Sequence, residues 1–332
     1  MTPGTVLVLP VDGLGEVTAG DDLAALLVAA PGSPRLEDGD VLVVTSKVVS
    51  KAEGRHSDLP KEAVVTAETD RVLATRADTR IVRTRHGLVL AGAGVDASNT
   101  AAGTTLALPL DPDASAVRLR EALLDLTGRN VAVVVSDTAG RAWREGQTDI
   151  AIGVAGLQVL DEHAGRDDGY GNVLAVTAPA VADEIAAAGD LVKGKLSRRP
   201  AAVVRGLAAR VLPPGEHGPG ARALVRAESH DMFGLGAREA VLAALTADAA
   251  SVRGFGAPAT ARVVAHHLGV LVDGEVLVAG GAPATVDVPL PSVDERALGR
   301  LEARLTAAAF ALGWRAGSGT DPDRLSFVEA TQ

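Results

Sequence analysis

The chain has 332 residues and a formal net charge of −10; 47% of its residues are apolar, only 2% are aromatic, and it has no cysteine. The acidic balance and the shortage of rings exclude a broad phosphate-backbone footprint and base-stacking platforms, so nucleic acid is not an expected partner, and the missing thiols remove disulfides, thiolate metal sites and thiol nucleophiles together. Neither Met1-Thr-Pro-Gly nor any later segment has the apolar run of a signal peptide or of a membrane span of roughly 18 residues, which predicts a soluble cytoplasmic protein with no membrane partner.

Val6–Leu9 reads as a short strand, ended by Pro10 and the Asp12-Gly13 turn signal. A helix is expected over Asp21–Ala30, then a buried strand over Val41–Val44 that runs into Thr45-Ser46-Lys47-Val48-Val49-Ser50-Lys51. The spacing predicts a helix over Lys61–Thr75 and a hairpin from Ile81–Arg83 and Leu88–Ala91 around Arg85-His86-Gly87. Ala114–Leu126 carries apolar residues at helical spacing. Strands are expected at Val131–Val135, Ile152–Leu160, Val173–Thr177 and Ala201–Val204, with a helix over Pro179–Asp190. After a Pro/Gly-rich loop at Gly206–Gly220, the pattern predicts a helix over Ala221–Leu245. It then predicts a hairpin from Val263–Val272 and Glu275–Val278, a helix over Asp294–Leu312 and a strand at Leu325–Val328. Helices interleave with strands without a regular βαβ rhythm. This predicts an α/β (α+β) fold of mixed strand direction, with a main domain over 1–245 and a small C-terminal α/β appendage over 246–332.

Several residues bear on chemistry. Asp96, in Gly94-Val-Asp-Ala-Ser-Asn99, and Asp137, in Ser136-Asp-Thr-Ala-Gly-Arg-Ala-Trp-Arg144, each follow an apolar run. A carboxylate just past a strand end has a rigid support and faces a loop where a ligand can enter. Two of them, beside hydroxyls and cations, suit a hard divalent ion on nucleotide phosphates. The same residue types also serve turns and helix caps. Ser46, Lys47 and Lys51 can present a hydroxyl and point charges to an anion, or form a solvated basic loop. Arg141 and Arg144 fall near Asp137 if residues 140–145 begin a helix. Gly189–Lys195 has the spacing of a phosphate-binding loop but has Leu196 where a magnesium-binding hydroxyl belongs, and a helix precedes it, so that reading is rejected; Lys193 and Lys195 can still reach phosphate. Glu184 is a candidate inward-facing acid. His266 and His267, placed in an apparent strand, would point to opposite faces and share no ion.

Leu9-Pro-Val-Asp-Gly-Leu, Val43-Val-Thr-Ser-Lys-Val-Val-Ser-Lys, Ala93-Gly-Val-Asp-Ala-Ser-Asn, Ser136-Asp-Thr-Ala-Gly-Arg-Ala-Trp-Arg-Glu-Gly-Gln-Thr-Asp, Tyr170-Gly-Asn and Val181-Ala-Asp-Glu-Ile through Val192-Lys-Gly-Lys run in that order over about residues 5–245. Together they resemble the coenzyme F420-0:L-glutamate ligase (gamma-glutamyl ligase) family, in particular the N-terminal half of the actinobacterial two-domain enzyme. The resemblance implies a GTP-dependent amide ligase that uses Mg2+ or Mn2+ and adds L-glutamate to coenzyme F420-0, or its dehydro form, through an acyl phosphate. Later rounds would add further γ-linked glutamates. Carried onto this chain, it implies that Leu14, Gly15, Glu16, Val17, Ser46, Lys51 and Asn99 bind GTP, that Asp96 and Asp137 hold one metal ion, and that Asp137 and Thr138 lie near a second. Lys193 and Lys195, within Val192–Arg199, would border the phosphates, and Lys51, Arg141 and Lys195 would offset charge on the transferred group. Family members are homodimers. A nitroreductase-like domain follows the ligase in the two-domain relatives. Here Ser251-Val-Arg-Gly-Phe resembles its opening but lacks the paired arginines, and the remaining chain is too short, so no flavin is expected. The rival readings are an amide ligase for another carboxylated metabolite and a non-catalytic GTP-binding regulator.

Overall fold

The computed structural model describes residues 4–97, 104–175, 177–227, 231, 233–279, 284–318 and 321–330. The chain divides into two units, Met1–Val72 with Arg76–Val225, and Leu73–Thr75 with Arg226–Gln332.

The first unit is built on a five-stranded mixed sheet. Its strands are β1 (Leu7–Val11), β2 (Val41–Thr45), β8 (Ala132–Gly140), β9 (Gln147–Ala155) and β10 (Ala201–Arg205), in the order β1-β10-β2-β8-β9. Only β2 and β8 run parallel; the other pairs are antiparallel. Both faces are covered, so these strands read as near-continuous Val/Ala runs without polar alternation. On one face Leu42, Val44, Val133 and Val135 pack with α1 (Leu23–Ala29), α2 (Ser46–Ala52) and α4 (Pro112–Thr127). On the other face Val41, Val43, Ala132 and Val134 pack against Val181, Ala182, Ile185 and Ala186 of α5 (Val181–Lys193). Side chains of capping residues start two of these helices. Asp22 accepts from the Ala25 amide, and Asp111 from the Ala114 amide with Pro112 in the first turn. Smaller pieces complete the unit: β3 (His56–Ser57) with β7 (Thr105–Leu106), α3 (Lys61–Glu68), and a sheet of β4 (Thr69–Arg76, apart from Leu73–Thr75), β5 (Thr79–Thr84) and β6 (Val89–Ala91).

The second unit contains α6 (Ala237–Thr246), α7 (Ala261–Val272), α8 (Glu295–Ala311) and an antiparallel sheet. The sheet comprises β11 (Leu277–Ala279), β12 (Thr285–Pro289), β13 (Trp314–Ala316) and β14 (Arg324–Glu329), in the order β11-β12-β14-β13. Its core gathers Val264, Leu268, Val286, Leu305, Trp314 and Phe327, and the Trp314 indole donates to the Ala259 carbonyl at 2.8 Å.

The fold is α+β with mixed sheets, as the irregular strand–helix order predicts. No described helix is long and apolar enough to cross a membrane. Several boundaries differ from expectation. The helix expected over Lys61–Thr75 stops at Glu68, where the Thr69 hydroxyl bonds back to the Val65 carbonyl and the alternating Thr69–Val72 pattern takes up strand. The strand expected at Ile152–Leu160 lies earlier, because β9 pairs with β8 as far out as Gly140 opposite Gln147. It ends at Gly156, whose φ of 73° and contact with the Arg120 side chain leave no room for a Cβ. Among the described residues of Val173–Thr177 there is only an isolated bridge between Asp167 and Val173. Ala221–Leu245 holds a short 3-10 turn, Ala221–Leu224, and then α6. Val263–Val272 is helix α7, not strand, because Val264 and Leu268 are buried at i, i+4 spacing. His266 and His267 are therefore helical neighbours with ring centroids 5.4 Å apart, not side chains on opposite faces of a strand. Residues 141–146 form the turn of the β8–β9 hairpin, with Gly140 still in β8, so no helix begins at 140–145.

Candidate functional site

The strand pairing brings the motifs together at one end of the main sheet. Val11 lies opposite Ala201, Ala201 opposite Val44, Thr45 beside Ser136, and Ser136 opposite Ala151. The chain just beyond these positions carries Asp12, Pro200, Ser46, Asp137 and Ile150, so segments far apart in sequence meet at one edge. Their backbones are tied there, as the Thr45 amide donates to the Pro200 carbonyl at 2.8 Å. Arg199 and Asp12 form an ion pair that draws the loop after α5 to the loop after β1.

β2 passes directly into α2, so Ser46 and Lys47 begin a helix instead of a loop. The buried Ser46 hydroxyl donates to Asp137 Oδ1 at 2.7 Å. Burial pushes the Asp137 carboxyl up to about 6; the Ser46 hydrogen bond opposes this, the charge of Asp149 adds to it, and that of Lys47 pulls the other way. The Lys47 ammonium also forms an ion pair with Asp96, whose backbone exchanges hydrogen bonds with Leu106 at 3.0 and 2.8 Å. One cation thus pairs with the first sequence-predicted carboxylate and bears on the second. Asn99 lies outside the described residues.

Lys51 is buried in α2 and pairs with Glu16. Val17 is buried and Leu14 packs on the core, which pins the loop and leaves Gly15 and Glu16 exposed beside α2. Lys195 is exposed after the end of α5. Arg141 sits in the hairpin turn, where its guanidinium donates to the Glu145 carbonyl at 3.3 Å.

Strand alternation sends Ser136 and Thr138 to the α5 face, opposite to Asp137. There the Thr138 hydroxyl donates to Asp149 Oδ1 at 2.9 Å, and Ser136 to Asp149 Oδ2 at 2.8 Å. Lys193, only 4% exposed, donates to Ser136 at 2.8 Å and to Asp149 at 2.6 Å. Sequence reasoning names Lys193 for phosphate; the structure turns its ammonium inward onto Asp149. Glu184 is exposed, and the acid of α5 that faces the sheet is Asp183, which accepts from the Ala151 amide at 2.9 Å. Asp149 and the Arg199–Asp12 pair escape the sequence reading. The available signal for Asp149 was its place as the last residue of the Ser136-to-Asp149 stretch that carries the resemblance; the hairpin register sets it directly opposite Thr138. Among the described residues, no three His, Cys, Asp or Glu side chains cluster as a metal site.

With this geometry in view, the sequence profile described as F420-0:Gamma-glutamyl ligase matches residues 13–65 and 59–206, a span that holds nearly the whole edge. The chain belongs to the F420-0:gamma-glutamyl ligase family. Among its relatives, the coenzyme F420:L-glutamate ligase of Archaeoglobus fulgidus is 44% identical over 223 residues, covering 61% of this chain and 88% of that protein. The Methanothermobacter thermautotrophicus enzyme of the same name is 39% identical over 225 residues, covering 60% and 89%. That of Methanopyrus kandleri is 38% identical over 250 residues, covering 69% and 98%. The profile match stops at residue 206, ahead of the Arg226–Gln332 segment of the second unit.

Proposed function

We propose that this chain is a GTP-dependent ligase that adds L-glutamate to coenzyme F420-0, with Mg2+ or Mn2+ held at the sheet edge. Membership of the gamma-glutamyl ligase family and the names of the relatives support glutamate ligation to F420. The observation that carries the nucleotide and metal reading is the arrangement Ser46–Asp137 and Lys47–Asp96 at one end of the sheet. Its donors are hard oxygens, and its carboxylates already face a positive charge, which fits a divalent ion. With few protein ligands gathered there, phosphate oxygens and water would complete the shell. Thr138 contributes its hydroxyl to Asp149 on the reverse face, so the assignment rests on Asp96 and Asp137.

In this reading the loop Leu14–Val17, Ser46 and Lys51 receive GTP, and Lys195 and Arg141 supply mobile positive charge at the edge. A bound divalent ion neutralises crowded phosphate oxygens. The acceptor's terminal carboxylate attacks the γ-phosphorus and GDP departs, leaving an acyl phosphate. The α-amine of glutamate then attacks the acyl carbon, loses its proton and expels inorganic phosphate. Lys51 and Lys195 stabilise charge that develops on the transferred group. No protein nucleophile is needed, in keeping with a chain that lacks thiols.

The test supplies purified protein with GTP, Mn2+, L-glutamate and F420-0. GDP release should match formation of an acceptor one glutamate heavier, and Asp137→Asn should reduce turnover by on the order of a hundredfold or more. Turnover on other carboxylated acceptors but not F420-0 would reassign the substrate, and full activity of Asp137→Asn would remove the metal assignment.

A further inference from the structure

We propose that Asp149 and Lys193 act as a positioning clamp that holds Asp137 in place from the reverse face of the sheet; this rests on the ligase reading above.

Asp137 projects from β8 toward Ser46 and Lys47, while the residues on either side of it, Ser136 and Thr138, point the other way. Both flanking hydroxyls donate to the same carboxylate, Ser136 to Asp149 Oδ2 at 2.8 Å and Thr138 to Asp149 Oδ1 at 2.9 Å. Lys193 closes a three-membered ring by donating to Ser136 at 2.8 Å and to Asp149 at 2.6 Å. Ser136, Asp149 and Lys193 are all at least 96% buried.

The ring is costly to build. Two charges leave water, and a buried ion pair is often no more stable than apolar side chains of the same volume. A purely structural need at this place would be met by the Val and Ala residues that fill the rest of the sheet. What apolar residues cannot do is fix the peptide planes on both sides of Asp137. Beyond Ser136 the strand keeps a ladder partner on one side only, since β2 pairs no further, and the register with β9 has shifted just before, between Val135 and Ser136. The Asp149 oxygens pin residues 136 and 138, and Lys193 fastens Asp149 to the last turn of α5. A carboxylate that grips a metal needs such support from the groups behind it.

The experiment compares the parent with the paired variant Asp149→Leu/Lys193→Met, which removes both charges at once and leaves neither ion unpaired. Circular dichroism and thermal melting report the fold, and electron paramagnetic resonance of free Mn2+ reports metal affinity in the presence of GDP. The clamp predicts a melting temperature close to the parent's with Mn2+ affinity weakened about 10–100-fold, and kcat lowered more than the KM for glutamate changes. If the Leu/Met pair does not fold, the near-isosteric Asp149→Asn/Lys193→Met replaces it. The side-chain amide of that variant can still accept from Thr138 but has lost its tie to α5, so a smaller weakening, about tenfold, is expected. Mn2+ affinity within twofold of the parent in a folded paired variant overturns the clamp and leaves the ligase reading standing. A parent that binds no Mn2+ with GDP overturns the ligase reading, and the clamp with it.

Discussion

Asp137 is a carboxylate that the fold makes uncomfortable. Burial lifts its pKa to about 6, so at neutral pH the folded protein holds a charge that the unfolded chain, with the ordinary value of 3.8, carries more cheaply. Removing that charge should relieve the fold and, in the proposed mechanism, cost turnover. In the absence of metal at pH 7, Asp137→Asn should melt at the same temperature as the parent or higher, in spite of its lost turnover; a large drop in melting temperature would mean that the carboxylate serves structure. His86 gives a second test at this scale. Its Nε2 lies 3.2 Å from the Leu110 carbonyl, its Nδ1 is buried without a partner among the described residues, and burial lowers its pKa below 6.5. The unfolded chain therefore takes up the proton first, so this contribution to stability is complete above pH 6.5 and is lost as the pH falls toward the folded-state value. Urea titrations should show the parent losing stability relative to His86→Gln over that window, and parallel curves would refute it. Asp96, Asp137, Ser46 and Lys51 could be picked out from the sequence because each follows an apolar run, although Asp137 stands inside β8 and Lys51 in the last turn of α2 instead of just past a strand end. The orientation of Lys193 could not, since a lysine at the end of a helix turns inward only when a buried acid awaits it, and Asp149 is 44 residues away along the chain.

At the scale of elements, the site depends on how β9 meets α4. A Cβ on Gly153 would lie 2.2 Å from the Pro112 carbonyl oxygen, so the helix start sits directly on the strand at its irregular register. Asp113, in the first turn of the same helix, accepts from the Val154 amide at 2.8 Å and the Ala221 amide at 2.6 Å. Gly153→Ala should therefore destabilise the protein by about 2–3 kcal/mol in equilibrium urea unfolding; a change below about 0.5 kcal/mol would show that α4 can move aside. The buried strands β2 and β8 were legible as two Val-rich runs, whereas their parallel pairing was not. The hairpin extension Ser136–Gly140 with Gln147–Ala151 was not, because its outer half is polar and lacks a strand's apolar signature. The same blindness to period turned α7 into a predicted strand, as its Val-Val and Leu-Val pairs mimic β propensity while the buried positions recur every four residues.

Across the whole molecule, the family match ends before Arg226, the candidate edge lies in the first unit, and the second has a core of its own. The first unit exposes apolar side chains that a lone monomer would leave wet: Trp143 and Tyr170 are 94% and 95% exposed, and Leu196 is 95% exposed. In a chain with two tryptophans and one tyrosine, this favours the homodimer that the family resemblance implies. Sedimentation equilibrium should give twice the 33.6 kDa chain mass, and Trp143→Asp/Leu196→Asp should shift the population toward monomer. A wild-type protein that sediments as a monomer at micromolar concentration would refute this.

In the proposed mechanism Asp96 and Asp137 grip one ion, at the place where the Lys47 ammonium now pairs with Asp96. Anomalous diffraction at the manganese edge, from crystals grown with GDP and Mn2+, tests this directly. The predicted result is a manganese peak within coordination distance of both carboxylates, with the Lys47 ammonium displaced from Asp96 and the nucleotide phosphates on the same ion. A peak elsewhere, or an undisturbed Lys47–Asp96 pair beside bound GDP, would contradict it.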